Sequence, residues 1–381
     1  MDNEIQSYIA RNEQQMFNVL KDLCGIPAPS NFEKKRAEYC KKWLDDIGAK
    51  DVYIDKALNV IFPLNCAGSD EITVFAAHTD TVFPNTEPMP YFDDGKKIHC
   101  PGVADNTASV AVLMMMARFF VENGLIPQKG FLFVCNSCEE GLGNLKGTRR
   151  LFKDFRGRIS RFISFDSVMN IINDRCVGSH RYEVEILTEG GHSFGDFGNR
   201  NAIAKLSEIV SEIYKINVPA KENAHTTYNV GEVSGGTSVN TIAQNARMLC
   251  EYRSDDKDCL EIMQTKFREI FKAAEEANVK ICVKQVGERP CGNIEGNKLQ
   301  ALKQTVVPII EEVVGEKVSF KSSSTDCNIP LSLGVPALCI GVSNYAGMHT
   351  REEWLDKLSL VSGLEIAVRL GKAFAEEKCN V

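Results

Sequence analysis

Short apolar runs alternate with longer segments of helical periodicity along most of the chain, and this alternation restricts the fold more than any other feature. Residues 72–77, 130–135 and 336–342 consist almost entirely of apolar side chains. Strands have this composition when both faces of their sheet are covered. Segments of helical length, such as 107–122 and 360–376, lie between these runs. The sequence therefore predicts an α/β domain with a mainly parallel sheet flanked by helices.

A segment of different character interrupts this pattern between residues 180 and 289. Its strand-like stretches alternate polar and apolar residues, as in 181–187, which is typical of a sheet with one exposed face. The elements follow the order β-α-β-β-α-β of the ferredoxin-like arrangement. Because a small half-exposed sheet has edges that need cover, we expect the insert to form a homodimer. The expected organisation is one α/β domain from 1–179 and 290–381, interrupted by an α+β domain from 180–289.

Composition narrows the class of protein. The chain has 381 residues, with 44 Lys and Arg against 51 Asp and Glu, so its net charge is −7. A mildly acidic chain without a long basic run is a poor candidate for binding nucleic acid or anionic membranes. Its apolar runs are shorter than the ~20 residues that span a bilayer. The polar start has no export pattern, and fourteen cysteines in such a chain predict reduced thiols and a cytoplasmic location.

Histidine and acidic residues follow the predicted buried strands where each strand ends. The sequence places His78 and Asp80 after 72–77, Glu139 and Glu140 after 130–135, Asp166 after 161–165, and His349 a short loop after 336–342. A further acid, Asp105, precedes the predicted helix 107–122. Open α/β sheets bind ligands at the carboxyl ends of their strands. Two imidazoles with several carboxylates suit zinc, manganese or cobalt.

Each of these residues also has a purely structural interpretation. Taken alone, Asp105 is more often a helix N-cap than a metal ligand. Likewise, His349 alone would be an exposed loop residue, and the adjacent glutamates a solvated pair. His78 is harder to explain in this way, because Asp80 lies where an orienting carboxylate would lie. Any one of these features could occur by chance, but all of them together at one edge of the sheet rarely would. The pattern therefore favours a metal site.

Five motifs occur in a fixed order: His78-Thr-Asp80, Gly102-Val-Ala-Asp105-Asn106, Glu139-Glu140-Gly141, the strand-end Asp166, and Gly347-Met-His349-Thr with Glu352-Glu353. The ordered set resembles the dizinc metallopeptidase family of aminoacylase, glutamate carboxypeptidase and tripeptidase. The resemblance covers nearly the whole chain, including the insert, which in that family is a dimerising lid. It implies a hydrolase that cleaves amide bonds of short peptides with a metal-activated water, as an aminopeptidase or a di- or tripeptidase would.

The resemblance also implies a role for each motif residue. Two divalent ions, most readily zinc with cobalt or manganese as alternatives, would be held by His78 and Asp166 on one side, by Glu140 and His349 on the other, and by Asp105 as a bridge. Asp80 would orient His78. Glu139 would be the general base, since a metal-bound water still needs a carboxylate to collect its proton. Only the resemblance distinguishes the two adjacent glutamates.

Three residues of the insert match further positions of the family. By resemblance, His192 and Asn240 would reach across the dimer to polarise the scissile carbonyl, a task that neutral donors can perform. Alternatively, His192 is a residue of a glycine-rich loop. Arg253 would bind a substrate carboxylate, which suits its planar guanidinium. The competing interpretation is a surface ion pair of Arg253 with Glu251 or Asp255.

Other functions stay open at this point. Within the same chemistry, the substrate is either a short peptide or an N-acyl amino acid, so a deacylase or a carboxypeptidase is the nearest alternative. A non-catalytic metal- or peptide-binding protein of the same fold is an alternative of another class. The Cys135-Asn-Ser-Cys138 motif would suggest a redox pair. Its place at the end of a buried strand favours structural thiols instead.

Overall fold

A computed structural model of the chain describes residues 2–292, 294 and 296–377. By itself, the segment Val177–Gly292 forms one compact unit, and the described chain on either side of it forms the other. We call them the insert unit and the main unit. The insert unit extends three residues beyond the expected segment 180–289 at each end.

The helices of the described residues are α1 (Asp2–Cys24), α2 (Lys34–Asp46), α3 (Ala108–Glu122), α4 (Lys146–Asp154), α5 (Ala202–Ile213), α6 (Lys257–Ala273), α7 (Asn297–Val314), α8 (Asn328–Ser332) and α9 (Lys357–Ala375). The strands are β1 (Tyr53–Ile54), β2 (Val60–Leu64), β3 (Ile72–His78), β4 (Phe92–Asp93), β5 (Lys97–His99), β6 (Gly130–Asn136), β7 (Ile159–Val168), β8 (Ile171–Cys176), β9 (Gly178–Leu187), β10 (Gly191–His192), β11 (Thr226–Gly235), β12 (Thr241–Ile242), β13 (Asn245–Ser254), β14 (Lys280–Arg289), β15 (Ser319–Ser323), β16 (Ala337–Ser343), β17 (Tyr345–Ala346) and β18 (Trp354–Asp356).

The main unit is built on an eight-stranded sheet in the order β1-β2-β6-β3-β7-β16-β8-β15. Its centre, β6-β3-β7-β16, is parallel, which confirms the α/β class. Antiparallel pairings join β2 to β6 and β8 to β16, so the whole sheet is mixed. The sequence pattern predicts neither antiparallel neighbour, because β2 is short and contains Pro63 and β8 is half polar.

Both faces of this sheet are covered, as the apolar runs predict. Phe75 and Ala77 of β3 pack into a large cluster with α1, α2, α3, α7 and α9. The alternate residues Val74 and Ala76 pack into a second cluster with α4 and α8. Every residue of β3 and β6 is therefore buried. This double cover leaves the ends of the strands as the places where polar side chains can reach a ligand.

Helix α3 belongs to the larger of these clusters. The helical segment Val103–Glu122 is long and apolar enough to cross a membrane, but 94% of its apolar window is buried in the protein. A helix that is apolar all round is expected in a core. The turn Val103–Thr107, which precedes α3, contains Asp105 in a non-helical conformation. The core therefore fixes the position of this turn.

The insert unit contains a four-stranded antiparallel sheet in the order β11-β13-β9-β14. With α5 and α6, it has the β-α-β-β-α-β order that the sequence predicts. The residues of β9 alternate between buried and half-buried over most of its length, since one face packs against α5 and α6. A separate pair, β10 and β12, carries two short loops. The function of this unit as a lid and dimerisation domain stays a prediction.

Candidate metal centre

Three neighbouring strands bring candidate residues to one end of the main sheet. His78 ends β3 and lies opposite Asn136, the last residue of β6. Glu139 and Glu140 follow three and four residues later along the chain. On the other side of β3, the parallel pairing with β7 brings Asp166 close to the same end. The register of the sheet thus assembles side chains that lie far apart in the sequence.

The carboxylate of Asp105 lies between the two candidate imidazoles. Its Oδ1 is 3.1 Å from His78 Nε2, and its Oδ2 is 3.0 Å from His349 Nε2. His349 is placed by the hairpin of β17 and β18, with its backbone in the left-handed region at a φ of 64°. Each oxygen of one carboxylate therefore faces a different imidazole, as a bridging ligand requires.

The remaining acids surround this centre. Asp166 Oδ1 is 3.8 Å from His78 Nε2, and Glu140 Oε1 is 3.1 Å from His349 Nε2. The ligand atoms form three groups, each within 4.8 Å: His78, Asp105 and Asp166; Asp105, Glu140 and His349; and His78, Glu139 and Glu140. The five side chains proposed from the sequence as ligands, and the neighbouring Glu139, therefore converge.

Asp80 connects the two halves of the site. His78 Nδ1 lies 3.1 Å from the carbonyl oxygen of Asp80 and 3.5 Å from its Oδ1. The same carboxylate accepts the backbone N–H groups of Glu139, at 3.0 Å, and of Glu140, at 2.9 Å. The sequence pattern predicts contact with the histidine only. The additional hydrogen bonds from the backbone N–H groups of Glu139 and Glu140 are visible only in the structure.

Glu353 has a similar role that sequence reasoning missed. It is fully buried, and its carboxylate accepts the N–H groups of Gly102 and Ala104, at 2.8 Å each, and of Asp105, at 3.0 Å. A carboxylate that accepts several backbone N–H groups holds a loop firmly. In the sequence, only its place in the Glu352-Glu353 motif marks this residue, and the motif does not indicate which groups it contacts.

Burial and mutual proximity shift the acid–base properties of the site. Burial raises the pKa of Glu140 to about 7 and that of Asp166 to about 6. Contacts with Asp105 and Glu140 raise the pKa of His349 to about 10. Burial opposes ionisation of Asp105, but the two imidazoles hold its pKa well below the usual range. Without a cation, the site therefore retains protons that a metal would displace.

The donor set fits a pair of divalent cations. His78 Nε2 and Asp105 Oδ1 are buried and lie 3.1 Å apart without hydrogen-bond geometry, and neither atom has a hydrogen-bond partner among the described residues. Buried polar atoms without partners are costly unless a further group satisfies them. Two divalent cations would also balance the charge of the four clustered carboxylates, which are Asp105, Glu139, Glu140 and Asp166. Imidazole nitrogens and carboxylate oxygens suit zinc, cobalt or manganese.

In the insert unit, His192 is the last residue of β10 and Asn240 directly precedes β12. The pairing of β10 with β12 places His192 opposite Thr241, and both candidate side chains are exposed. His192 Nδ1 accepts the N–H groups of Phe194 at 3.2 Å and Gly195 at 3.3 Å, so Nε2 carries the proton of a neutral ring. Asn240 Oδ1 accepts the hydroxyl of Ser238 at 2.7 Å. Both side chains thus present N–H donors outward.

Arg253 forms the ion pair with Glu251 that is the alternative to a substrate-binding role. Its Nε and Nη2 donate to the two oxygens of Glu251, at 2.7 and 3.0 Å. Glu251 also accepts Arg181 Nε at 3.1 Å. The substrate-carboxylate role of Arg253 stays a prediction, and it requires a substrate to compete with this pair.

The thiols of the Cys135–Cys138 motif are buried and free. Contact with the Cys40 thiol and burial raise the pKa of Cys135 well above its usual value. Burial raises the pKa of Cys138 to about 12. A reactive cysteine needs a low pKa and access, so these properties favour structural thiols over a redox pair.

Comparison with known proteins gives the wider context for this site. The model of a family described as peptidase family M20/M25/M40 matches residues 74–376. The succinyl-diaminopimelate desuccinylase of Corynebacterium glutamicum is 24% identical over 341 residues, which cover 87% of this chain and 89% of that protein.

Solved structures share the fold over nearly the whole chain. A tripeptidase from Staphylococcus aureus superposes with a TM-score of 0.76 at 19% identity, covering 96% of this chain and 99% of that one. A dinuclear metal-binding peptidase of the M20 family from Bacillus subtilis superposes with a TM-score of 0.64 at 15% identity, covering 96% of this chain and 99% of that one. At this level of identity, the likeness concerns the fold alone.

Proposed function

Since the chain belongs to peptidase family M20/M25/M40 and is an amide-bond hydrolase, we propose that it cleaves short peptides as an aminopeptidase or a di- or tripeptidase. The observation that carries this proposal is the position of Asp105, whose two oxygens face the imidazoles of His78 and His349. A shared carboxylate between two imidazoles is the arrangement that a two-metal hydrolase needs.

The proposed ligands divide into two sets around this carboxylate. One zinc ion would be held by His78 and Asp166 and the other by Glu140 and His349, and both would share Asp105. When bound, the ion pair supplies Lewis acidity and brings the pKa of a coordinated water towards neutrality. Asp80 and Glu353 keep the ligand-bearing loops in register through the N–H groups that they accept.

Glu139 is the proposed proton carrier of the reaction. Its side chain lies in one group with His78 and Glu140 and is 5% exposed. Because Glu140 serves as a ligand, the adjacent Glu139 carboxylate is left to take a proton from the attacking water. It then delivers this proton to the leaving amine nitrogen, so the base is regenerated in each cycle.

The insert unit supplies substrate contacts in this proposal. His192 and Asn240 donate hydrogen bonds to the oxygen of the scissile carbonyl, where negative charge develops in the transition state. Arg253 binds a substrate carboxylate after leaving Glu251. The insert also forms the homodimer, so that His192 and Asn240 act on the partner's substrate. The buried free thiols of the described chain support a reducing cytoplasmic location.

A deacylase is the second candidate, because one relative has a name that states this chemistry. The Corynebacterium glutamicum relative is a succinyl-diaminopimelate desuccinylase, which indicates an N-acyl amino acid as substrate. The tripeptidase from Staphylococcus aureus supports a peptide substrate instead. The five proposed ligands serve either reaction equally, because both break an amide bond at the same carbonyl.

A substrate panel with metal analysis tests the proposal. The purified protein, loaded with zinc, cobalt or manganese, is expected to bind two ions per chain and to hydrolyse dipeptides and tripeptides with free amino termini. Mass spectrometry of the products identifies the bond cleaved. Preference for N-acetyl or N-succinyl amino acids would establish the deacylase, and release of the last residue from amino-blocked peptides a carboxypeptidase. A loaded protein that hydrolyses none of these substrates would be a binding protein, contrary to the proposal.

A further inference from the structure

Side chains at the start of α2 hold two of the segments that carry proposed metal-site residues. Glu33 and Arg36 are almost completely buried, at 0% and 1% exposure. Burial of a carboxylate and a guanidinium is costly unless their hydrogen bonds are made. Neither group has a part in the proposed chemistry, so the free-energy cost of burying them requires another explanation.

The Glu33 carboxylate takes hold of the turn before Glu139. Its Oε1 accepts the backbone N–H of Cys138 at 3.0 Å and the Cys138 thiol at 3.2 Å. It also accepts the N–H of Asn31 at 2.9 Å. Cys138 has a φ of 57°. A non-glycine residue rarely adopts this left-handed conformation, so surrounding contacts must hold it there.

Two neighbouring residues extend the same support to the other loop. Arg36 Nη1 donates to the carbonyl of Thr79 at 2.7 Å, between His78 and Asp80. The hydroxyl of Ser30 lies 2.6 Å from Asp80 Oδ2 and 3.2 Å from the carbonyl oxygen of Glu140. Residues 30–36 therefore hold the chain through Cys138 before Glu139 and through the carbonyl of Glu140 after it.

We infer that Glu33 is a positioning residue for the reaction. Through the Cys138 N–H and thiol, its carboxylate fixes the turn that aims Glu139, and this explains the buried Cys138 of the CxxC motif without redox chemistry. The inference rests on the proposed function of Glu139 as the proton carrier. It adds a residue that has no proposed contact with metal or substrate and acts only through its hydrogen bonds with Cys138.

Three variants test this inference. Glu33→Ala removes the anchor, and we expect kcat to fall about 10- to 100-fold, because a displacement of ~1 Å at a reacting group has an effect of this size. KM and the metal content of two ions per chain are expected to stay unchanged. Glu33→Gln keeps an oxygen that accepts the Cys138 N–H, so it should recover most of kcat. Cys138→Ala, which removes only the thiol donor, should have the smallest effect.

Tyr8→Phe is the matched control for stability. It removes another buried hydrogen bond of the main unit, from the Tyr8 hydroxyl to the carbonyl of Met115 at 2.7 Å. This variant should lower the melting temperature and leave kcat unchanged. An equal loss of kcat in Tyr8→Phe, or a loss of metal in Glu33→Ala that accounts for the lost activity, would overturn the inference.

Amide hydrogen exchange separates this inference from the proposed function. In Glu33→Ala, or in Glu33→Leu, which fills the same space without an acceptor, if the alanine variant does not fold, residues 137–141 should exchange faster than in Tyr8→Phe. This measurement needs no substrate. Failure of the wild-type protein on the amide panel would therefore sink the proposed function alone, whereas unchanged exchange at 137–141 would sink the role of Glu33.

Discussion

The candidate metal site of the main unit and the His192–Asn240 pair of the insert unit are built in different ways. His78, Asp105 and Glu140 are buried, and side-chain carboxylates hold the backbone around them. In contrast, His192 and Asn240 are exposed and rest on short loops. Buried ionisable groups are organised before any ligand arrives, whereas exposed donors gain strength only when a substrate excludes water around them. If the proposed roles hold, the first region is ready before the substrate binds, and the second contributes only once the substrate is in place.

The sharpest test of this comparison is Glu139→Gln. We expect kcat to fall by at least ~10²-fold, because the amide cannot accept the proton. Metal content should stay at two ions per chain, since Glu139 is not a proposed ligand. Steady-state kinetics and elemental analysis give the two values. Glu38→Gln, at an exposed position on α2, is the matched control. Turnover close to that of the wild type would remove Glu139 from the mechanism.

His192→Ala tests the other side of the comparison. Loss of one transition-state donor is expected to lower kcat about 10²-fold, while the melting temperature stays unchanged because the side chain is exposed.

Arg253→Ala should instead raise KM for substrates with a free carboxylate.

A mixed dimer of Glu139→Gln and His192→Ala chains extends this test. If His192 acts across the dimer, each mixed dimer contains one intact site, and activity returns on mixing. Activity that stays at the level of the separate variants would mean that His192 acts within its own chain, or not at all.

Glu353→Gln should have the smallest effect of the series and acts on metal binding. Weakening its hold on the N–H groups of the Asp105 turn is expected to lower metal affinity about 10- to 100-fold. At saturating metal, kcat should approach the wild-type value. Competition with a chelator measures the affinity. The adjacent exposed Glu352→Gln is the control, and an equal loss there would show that the buried contacts of Glu353 are irrelevant.

Much of the fold could be predicted because it depends on local patterns. The apolar run 72–77 predicts a doubly covered strand, and β3 occupies Ile72–His78. The strand-end rule also brings His78 and Asp166 to one place. The alternation of 181–187 predicts the half-exposed β9 of the insert.

The supporting carboxylates could not be predicted in the same way. Glu33 and Cys138 are 105 residues apart, and Glu353 and Ala104 are 249 residues apart. No spacing rule connects such positions, because only the folded chain decides which N–H groups a buried carboxylate meets. Glu33 also occupies the N-cap position of α2 without a side-chain capping hydrogen bond, so a local pattern would assign its carboxylate to the surface.

The enclosed helix α3 has a consequence for engineering this protein. Asp105 stands at the foot of a helix whose apolar side chains are locked into the interior. Close-packed interiors pass displacements along rather than absorbing them. Libraries meant to retune selectivity should therefore vary solvent-facing loops and spare the start of α3, where residues 108–112 follow the Asp105 turn and are all buried.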